Sequence, residues 1–312
     1  MSVCLGRMTW NDMTIETQFT GAIPALTTPF STDESIDLVA WKQWTAWHNA
    51  QTSRAVVIFG STGEGLSLSI SERELLLKTA RKQFDKTALI VGISSPSTEH
   101  AIQLGKQAKD HGADAILVTT PFYVKPTQSG LCQHYLKIAS TVAMPIIVYT
   151  VPSRTAVDID DQTILTLAQN RYIAGIKDAA GDIGRVERLR KLLPSNFMYL
   201  GGNDHEILDN IMYGGNGTIS VIANVLPNIV QSVIDNFDAN PQWSKGKMHE
   251  LEPMINVITK YGNPQVIKHM VQSTYSVPSS LRLPLTPLES EAKSETEHAL
   301  RACRIAPEAI NY

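Results

Sequence analysis

The sequence of 312 residues predicts a (β/α)8 TIM barrel followed by a small C-terminal helical domain. From Gly21 onward, eight short apolar runs of strand type alternate with amphipathic helical segments. The connections are short, and alternation of this kind is typical of a parallel sheet. Eight such units in about 220 residues fit a closed barrel, whose usual size is near 250 residues. We therefore expect the barrel to occupy residues 19–240 and the helical domain to occupy residues 241–312.

The predicted strands are apolar runs bounded by turn-forming residues. They are Ala22–Thr28, Ala55–Gly60, Ala88–Ile93, Ala115–Thr120, Pro145–Val151, Ile173–Lys177, Met198–Gly202 and Thr218–Ala223. A doubly wound open sheet is the alternative arrangement of the same elements. It would require a glycine-rich dinucleotide fingerprint after the first strand, and Thr27-Thr28-Pro29-Phe30 does not provide one.

Helices are predicted between the strands, among them Leu38–Asn49, Glu72–Gln83, Thr98–His111, Gly130–Thr141 and Asp161–Ala168. Asp37 and Ser97 precede two of these segments and favour helix N-termini, because their side chains accept hydrogen bonds from free backbone N–H groups. Ser71 and Glu74 have the spacing of a capping box and predict the start of the second helix.

The alternation ends after about Asn240, where the predicted C-terminal domain begins. Its helical patterns cover Trp243–Tyr261, Pro264–Tyr275 and Ser290–Ala302, with a loop at Pro278–Pro287. At the other end, residues 1–18 lack the basic and continuous apolar regions of a signal peptide. We expect them to form a mobile N-terminal extension.

Composition excludes several classes of function. The net charge is −3, so no basic field attracts nucleic acid or an anionic membrane. No apolar run approaches the roughly 18–20 residues that span a bilayer. The three cysteines have neither metal-ligand nor redox-motif spacing, which indicates a reducing, cytoplasmic location. The eight histidines form no ligand-spaced cluster, and we expect no metal.

Lys177 is the first candidate for chemistry, since it lies where the apolar run Ile173–Lys177 ends. Its amine would project from the end of a buried strand. Burial disfavours an ammonium, and a neutral lysine amine is the nucleophile that forms Schiff bases with ketones and aldehydes. The alternative is a strand-terminal lysine that extends its amine into solvent.

Other candidates follow the carboxyl ends of neighbouring strands, where catalytic residues of such barrels are found. Gly60-Ser61-Thr62-Gly63-Glu64 lets backbone N–H groups approach a carboxylate, although a plain turn is the alternative. Tyr149 ends the strand adjacent to that of Lys177, and its phenol could transfer protons. Arg154 follows in the same loop and suits a carboxylate of a substrate. Rim packing and a surface ion pair are the alternatives for these two residues.

Four motifs together resemble the dihydrodipicolinate synthase family of the pyruvate-dependent class I aldolase superfamily. They are Gly60–Glu64, Tyr149–Thr155, Gly175–Lys177 and Leu281–Pro287. The resemblance runs from about Phe19 to the C-terminus. The first and third motifs mark the superfamily, whereas the Pro-Ser-Arg-Thr segment ending at Thr155 is more specific.

The resemblance implies a reaction and its catalytic residues. Lys177 would form a Schiff base with pyruvate, and the enamine would attack L-aspartate 4-semialdehyde to give 4-hydroxy-tetrahydrodipicolinate for lysine and diaminopimelate biosynthesis. Tyr149 would be the proton shuttle, relayed through Ser61 and through Tyr123 from a neighbouring subunit. The Schiff base would replace any cofactor. A homo-oligomer is therefore expected, with a tetramer built as a dimer of tight dimers.

Substrate binding is implied for Thr62, Arg154, Ile219 and Gly202, with the Ile219 carbonyl contacting the pyruvate-derived part. Two residues depart from the family pattern. Ser61 stands where threonine is common, which preserves the hydroxyl. Thr150 stands where asparagine is usual, next to Tyr149, which leaves the preference for the second substrate open.

Two alternative functions remain. The first is another pyruvate-dependent aldolase or a sugar-acid dehydratase of the same superfamily, such as N-acetylneuraminate lyase, and Arg154 argues against it. The second is a catalytically dead barrel that binds a keto acid. The joint retention of Lys177, Tyr149, Tyr123 and Arg154 argues against that possibility.

Relatives inhibited by lysine hold it in a pocket at a dimer interface. The aligned positions here are Gly65, Leu66, Ile70, Arg73, Pro96, His100 and Phe122. His100 replaces the carboxylate that would meet the ammonium of the ligand, and Arg73 adds a positive charge. Pro96 replaces an amide, and Phe122 lacks the phenolic hydroxyl. We therefore expect this site to be degenerate, with weak or absent inhibition by lysine.

Overall fold

The computed structural model describes residues 19–305, in which eight strands alternate with helices. The strands are β1 (Gly21–Pro24), β2 (Ala55–Ile58), β3 (Ala88–Ile93), β4 (Ala115–Thr119), β5 (Ile146–Thr150), β6 (Ile173–Asp178), β7 (Met198–Gly201) and β8 (Gly217–Ser220). Every predicted strand is present, and most end earlier than predicted. The predicted N-terminal extension, residues 1–18, lies outside the described residues, as do residues 306–312.

Helices surround the strands and then continue beyond them. Those of the barrel are α1 (Leu38–Asn49), α2 (Ile70–Gln83), α3 (Thr98–Asp110), α4 (Gln128–Val142), α5 (Pro152–Thr155), α6 (Asp161–Leu167), α7 (Gly184–Arg190), α8 (Ile207–Met212) and α9 (Pro227–Asp235). The C-terminal region consists of α10 (Pro241–Tyr261), α11 (Gln265–Tyr275) and α12 (Ser290–Ala302). All three C-terminal helices end at the predicted residues. No helix within residues 19–305 has both the length and the apolar character needed to cross a membrane.

The sheet is parallel throughout and has the order β1-β8-β7-β6-β5-β4-β3-β2. Its two outer strands meet where Ala25 forms a parallel bridge with Val57. There the backbone N–H of Leu26 donates to the carbonyl of Val57 at 2.8 Å. This contact closes the sheet into a barrel, so the (β/α)8 prediction is confirmed and the open-sheet alternative is wrong.

Strand side chains alternate between two apolar layers, because successive residues of a strand point to opposite faces. One layer fills the barrel interior and includes Ile23, Val57, Ile90, Leu117 and Leu200. The other lies between the barrel wall and the helices. Burial on both faces explains why the strands are continuous apolar runs in the sequence.

Helix N-termini test the predicted capping residues. The side chains of Asp37 and Ser97 accept from backbone N–H groups of the first turns of α1 and α3, as predicted. The predicted capping box of Ser71 and Glu74 is wrong. Its place is taken by Ser69 and Glu72, which have the same spacing two residues earlier. Because Ile70 is already helical, Ser71 lies inside α2, where its backbone continues the helix.

A buried ion pair attaches α11 to the barrel. Nζ of Lys268 lies 2.5 Å from Oε1 of Glu64, and both side chains are 1% exposed. Lys268 also donates to the carbonyl of Ser280, while the other oxygen of Glu64 accepts from the backbone N–H of Arg282 at 3.2 Å. Burial lowers the pKa of Lys268, and the neighbouring carboxylate opposes that effect. The pair therefore joins the turn after β2 to the C-terminal region.

Removing one partner of this pair should leave a buried charge without compensation. We expect Lys268→Met to lower the free energy of unfolding by about 3–5 kcal/mol, measured by chemical denaturation. The double variant Glu64→Gln/Lys268→Met should regain much of that loss, because its amide still accepts from Arg282 and neither group is charged. A loss below about 1 kcal/mol in the single variant would contradict this role, because losses of that size are typical of exposed ion pairs.

Candidate active site

The carboxyl ends of β5, β6 and β7 and the turn after β2 surround a cavity of about 270 Å³. Six predicted site residues line it, namely Ser61, Thr62, Tyr149, Arg154, Lys177 and Gly202. The helix α10 covers one side of the cavity with Ile255, Ile258 and Thr259. The rim predicted from the strand ends is therefore a single site that also includes the C-terminal region.

Lys177 and Tyr149 form the centre of the cavity. They are direct partners in the register between β5 and β6. Nζ of Lys177 lies 4.3 Å from the centroid of the Tyr149 ring, and the two residues are 7% and 8% exposed. The predicted side-by-side placement is confirmed. An amine and a phenol that lie this close, and that are both nearly buried, can exchange protons with a ligand that contacts both groups.

The Gly60–Glu64 turn presents two hydroxyls to the cavity, those of Ser61 and Thr62. The hydroxyl of Thr28 donates to the carbonyl of Gly63 at 2.7 Å and holds the turn from below. A Cβ at Gly63 would lie 2.7 Å from the carbonyl oxygen of Leu26, so this position requires glycine. The tight backbone path is what brings the hydroxyls to the rim.

Asn263 is a site residue that the sequence reasoning missed. Its Nδ2 donates to the hydroxyl of Thr62 at 2.9 Å, and its carbonyl accepts from Nη2 of Arg154 at 3.0 Å. Its Oδ1 is buried and has no hydrogen-bond partner among the described residues. In the sequence, Asn263 lies in the short break between the predicted helices Trp243–Tyr261 and Pro264–Tyr275, which carries no signal of a site. Asn263 therefore orients both Arg154 and the hydroxyl of Thr62 at the edge of the cavity.

Asp204 lines the cavity beyond Gly202, and the sequence reasoning gave it no separate role. Its Oδ2 accepts from the backbone N–H groups of Val221 and Ile222 at 3.0 and 2.9 Å. Burial raises the pKa of Asp204, although these hydrogen bonds and the charge of Lys177 act in the opposite direction. This carboxyl group therefore fixes the end of β8 against the cavity.

Gly202 itself is required by a close approach of two strand ends. Its N–H donates to the carbonyl of Asp178 at 2.7 Å. A Cβ at this position would lie 2.7 Å from that of Ala179 and 2.9 Å from the Asp178 carbonyl oxygen. The predicted site residue Gly202 thus lets β6 and β7 meet directly beside Lys177.

Two predicted site residues lie elsewhere. Tyr123 is 90% exposed and has a φ of +70°, so its side chain extends into solvent from the loop after β4. Ile219 is fully buried in the barrel interior and is not among the described residues that line the cavity.

Thr150 faces away from the cavity, and its hydroxyl donates to Asp158 at 2.7 Å. Thr150, one of the two residues that depart from the family pattern, therefore lies behind the barrel wall.

One position of the predicted degenerate lysine site, Arg73, is only 3% exposed. Its guanidinium donates to the carbonyls of Gly92 at 2.7 Å and Gly65 at 3.2 Å, and lies 4.7 Å from the ring centroid of Phe59. Burial lowers its pKa to about 10. The added positive charge is thus inside the protein, where it holds the turn that carries Gly65.

Within residues 19–305, no group of three or more histidine, cysteine, aspartate or glutamate side chains is arranged to hold a metal ion.

The fold and the site are those of a (β/α)8-barrel enzyme with an amine and a phenol paired at the strand ends. The comparison with known families places the chain more narrowly. It belongs to the dihydrodipicolinate synthetase family, whose model matches residues 18–303.

Individual relatives agree with this assignment. The chain is 36% identical over 293 residues to 4-hydroxy-tetrahydrodipicolinate synthase of Saccharophagus degradans, covering 91% of this chain and 99% of the relative. Its fold matches the dihydrodipicolinate synthase of Aquifex aeolicus with a TM-score of 0.89 and 31% identity, over 93% and 99% of the two chains. It matches the pyruvate complex of the Acinetobacter baumannii synthase with a TM-score of 0.88 and 35% identity, over 92% and 99%.

Proposed function

We propose that this protein condenses pyruvate with L-aspartate 4-semialdehyde to give 4-hydroxy-tetrahydrodipicolinate, a step of lysine and diaminopimelate biosynthesis. The observation that carries the proposal is the pairing of Lys177 with Tyr149 in a cavity that Arg154 also lines. Relatives with the name of this synthase support the choice of substrates, since the similarity extends over nearly their full length.

In the first half-reaction, Nζ of Lys177 attacks the ketone carbon of pyruvate, and loss of water gives an imine. Removal of a methyl proton then gives the enamine, with the imine nitrogen as the electron sink. No separate cofactor is needed for this step. Tyr149 donates and accepts the protons, and Ser61 on the same cavity wall relays them. Thr62 and Gly202, which line the cavity, contact the pyruvate-derived part.

In the second half-reaction, the enamine carbon attacks the aldehyde of the second substrate. Arg154 binds its carboxylate through the guanidinium, whose position is set by the carbonyl of Asn263. The amine of the bound substrate then attacks the imine carbon, closes the ring and releases Lys177.

The proton relay requires a second subunit in this proposal. Tyr123 points into solvent and is separated from the cavity of its own chain. Exposed apolar residues near it, Val124 and Leu66, provide surface that a partner would cover. We propose a homo-oligomer, a tetramer built as a dimer of tight dimers, with neither nucleic acid nor membrane as partner.

The alternative functions differ in what Arg154 does. Another pyruvate-dependent aldolase or a sugar-acid dehydratase would need the same imine, but a polyhydroxylated second substrate has less use for a guanidinium beside the cavity. A catalytically dead keto-acid-binding barrel would have no use for the phenol of Tyr149 next to Lys177. Both alternatives are therefore less well supported than the synthase.

Trapping the imine tests the nucleophile. Borohydride added with pyruvate should attach a stable mass to the peptide that contains Lys177, because among residues 19–305 this is the one lysine amine that lines the cavity. Peptide mass spectrometry reads the site, and Lys177→Arg is the negative control. Labelling of a different lysine in active protein would contradict the mechanism.

A second prediction concerns Arg154. Arg154 is exposed in the free protein, so Arg154→Ala should impair use of the semialdehyde by about 2–5 kcal/mol in kcat/KM if the bound substrate excludes water from its carboxylate contact. Imine formation with pyruvate alone should change little. Arg171→Ala, at an exposed arginine stacked on Tyr172, is the matched control and should behave as the unmodified protein. Equal damage to both half-reactions would show that Arg154 mainly maintains the structure.

A third prediction concerns inhibition by lysine. We expect no half-inhibition at submillimolar lysine, because His100 and Pro96 offer no carboxylate or amide to an ammonium, which would be buried without a partner. His100→Glu should restore part of the affinity by supplying the missing charge. Lysine titration of the initial rate measures both proteins. Strong inhibition of the unmodified protein would contradict the proposed degeneracy.

A further inference from the structure

A second set of polar residues lies directly behind the catalytic pair, on the outer face of the barrel wall. We call it the rear network, and it consists of Thr150, Asp158, Asp178, Arg185 and Tyr199. Thr150 and Asp178 follow Tyr149 and Lys177 in the chain and are paired with each other in the register of β5 and β6. Side chains alternate along a strand, so the pair behind the wall and the catalytic pair share the same backbone segments.

Arg185, on α7, joins the two strands through this network. Its Nη1 donates to Oδ2 of Asp178 at 3.2 Å. Its Nη2 donates to Oδ2 of Asp158 at 2.5 Å, and the hydroxyl of Thr150 donates to Oδ1 of Asp158 at 2.7 Å. A continuous path of hydrogen bonds therefore runs from the end of β5 to the end of β6.

The path extends to the next strand through Tyr199, on β7. Its hydroxyl donates to Oδ2 of Asp178 at 2.5 Å, and the backbone N–H of Ala180 donates to Oδ1 at 2.8 Å. Burial and the charge of Asp178 raise the pKa of Tyr199. Its phenol is therefore a donor over the ordinary pH range, and both oxygens of Asp178 are occupied.

Four of the five residues of the network are buried, whereas the side chain of Asp158 is 36% exposed. Thr150 is fully buried, Tyr199 is 3% exposed and Asp178 and Arg185 are each 6% exposed. Burial acts to lower the pKa of Arg185, but the hydrogen bond with Asp158 and the charge of Asp178 raise it. Buried, charge-assisted contacts of this kind have little freedom to exchange with water.

The rear network lies at the regular end of the β5–β6 ladder. The register shifts only at the start of the two strands, between Ile146 and Ile147. From Ile147 and Gly175 onward the pairing is continuous through Tyr149 with Lys177 to Thr150 with Asp178. The side-chain contacts of the network therefore reinforce the backbone pairing at the same residues that carry the catalytic pair.

We propose that Thr150 and Arg185 are positioning residues, which hold the Tyr149 phenol against the Lys177 amine from behind the barrel wall. The inference rests on the proposed function, because it assigns the residues a role in proton transfer to the imine. A displacement of about 1 Å at a reacting pair can reduce the rate about 100-fold. Loosening the rear network should therefore lower the rate of proton transfer more than the binding of pyruvate.

Thr150→Val is the most direct variant, because it removes the hydroxyl and retains the branched shape in a fully buried place. Arg185→Met removes the central donor. Lys191→Met is the matched control, since Lys191 directly follows α7, is exposed and pairs with Glu187 outside the network. We expect kcat to fall about 10- to 100-fold for the first two variants, with KM for pyruvate within about twofold. The control should keep the unmodified kcat.

The rate is expressed per active site, counted by borohydride trapping of the pyruvate imine, so that unfolded protein does not contribute. Each substitution is also made in a Tyr149→Phe background. If Thr150 acts by positioning the Tyr149 phenol, Thr150→Val should reduce the rate by less than about twofold in the Tyr149→Phe background, where that hydroxyl is absent. Should Arg185→Met fail to fold, Thr150→Val alone decides the question.

Two results would overturn the inference. One is an unchanged kcat per trapped site in Thr150→Val, which would mean that the network only stabilises the fold. The other is an equal loss in the presence and absence of the Tyr149 hydroxyl. Absence of any trapped imine in the unmodified protein would instead refute the proposed function, and this inference with it.

Discussion

The pairing of Lys177 with Tyr149 is the contact on which the rest of the site depends. The two residues come from neighbouring parallel strands in direct register, with the amine 4.3 Å from the ring centroid. A parallel barrel brings all its strand ends to one rim, and alternation of side chains divides each strand between the cavity and the wall behind it. The residues that follow the catalytic pair are consequently available to brace it. The chemistry and its mechanical support thus occupy successive positions of the same two strands.

The C-terminal helices are part of this site. Asn263, just before α11, bonds both Thr62 and Arg154, and Lys268 forms the buried ion pair with Glu64 at the end of the same turn. Both contacts reach the short segment between β2 and α2, which carries the cavity hydroxyls. The helix α10 adds apolar groups to the cavity wall. The helical region therefore sets the position of groups that a barrel alone would leave on a loop.

Much of this arrangement was predictable from the sequence because it depends on local patterns. Alternating strand and helix signals predicted the barrel. The positions of the strand ends predicted Lys177, Tyr149 and Arg154 as site residues. The contacts of Asn263 and Lys268 could not be predicted, because their partners are 201 and 204 residues away and leave no periodic signal. The capping box failed since two overlapping Ser-x-x-Glu segments fit one helix start. The direction of the Thr150 side chain is set by strand alternation. Because Tyr149 faces the cavity, the next residue must face the helices behind the barrel wall.

The most direct test measures proton exchange and condensation in one sample. The claim it tests is that the amine of Lys177 and the phenol of Tyr149 activate pyruvate for attack on aspartate semialdehyde. Pyruvate is incubated with the protein in D₂O while NMR follows its methyl protons, and aspartate semialdehyde or N-acetylmannosamine is then added. The account predicts enzyme-dependent exchange of the methyl protons, followed by pyruvate consumption with the semialdehyde only. Consumption with N-acetylmannosamine instead, or no exchange at all, would contradict it.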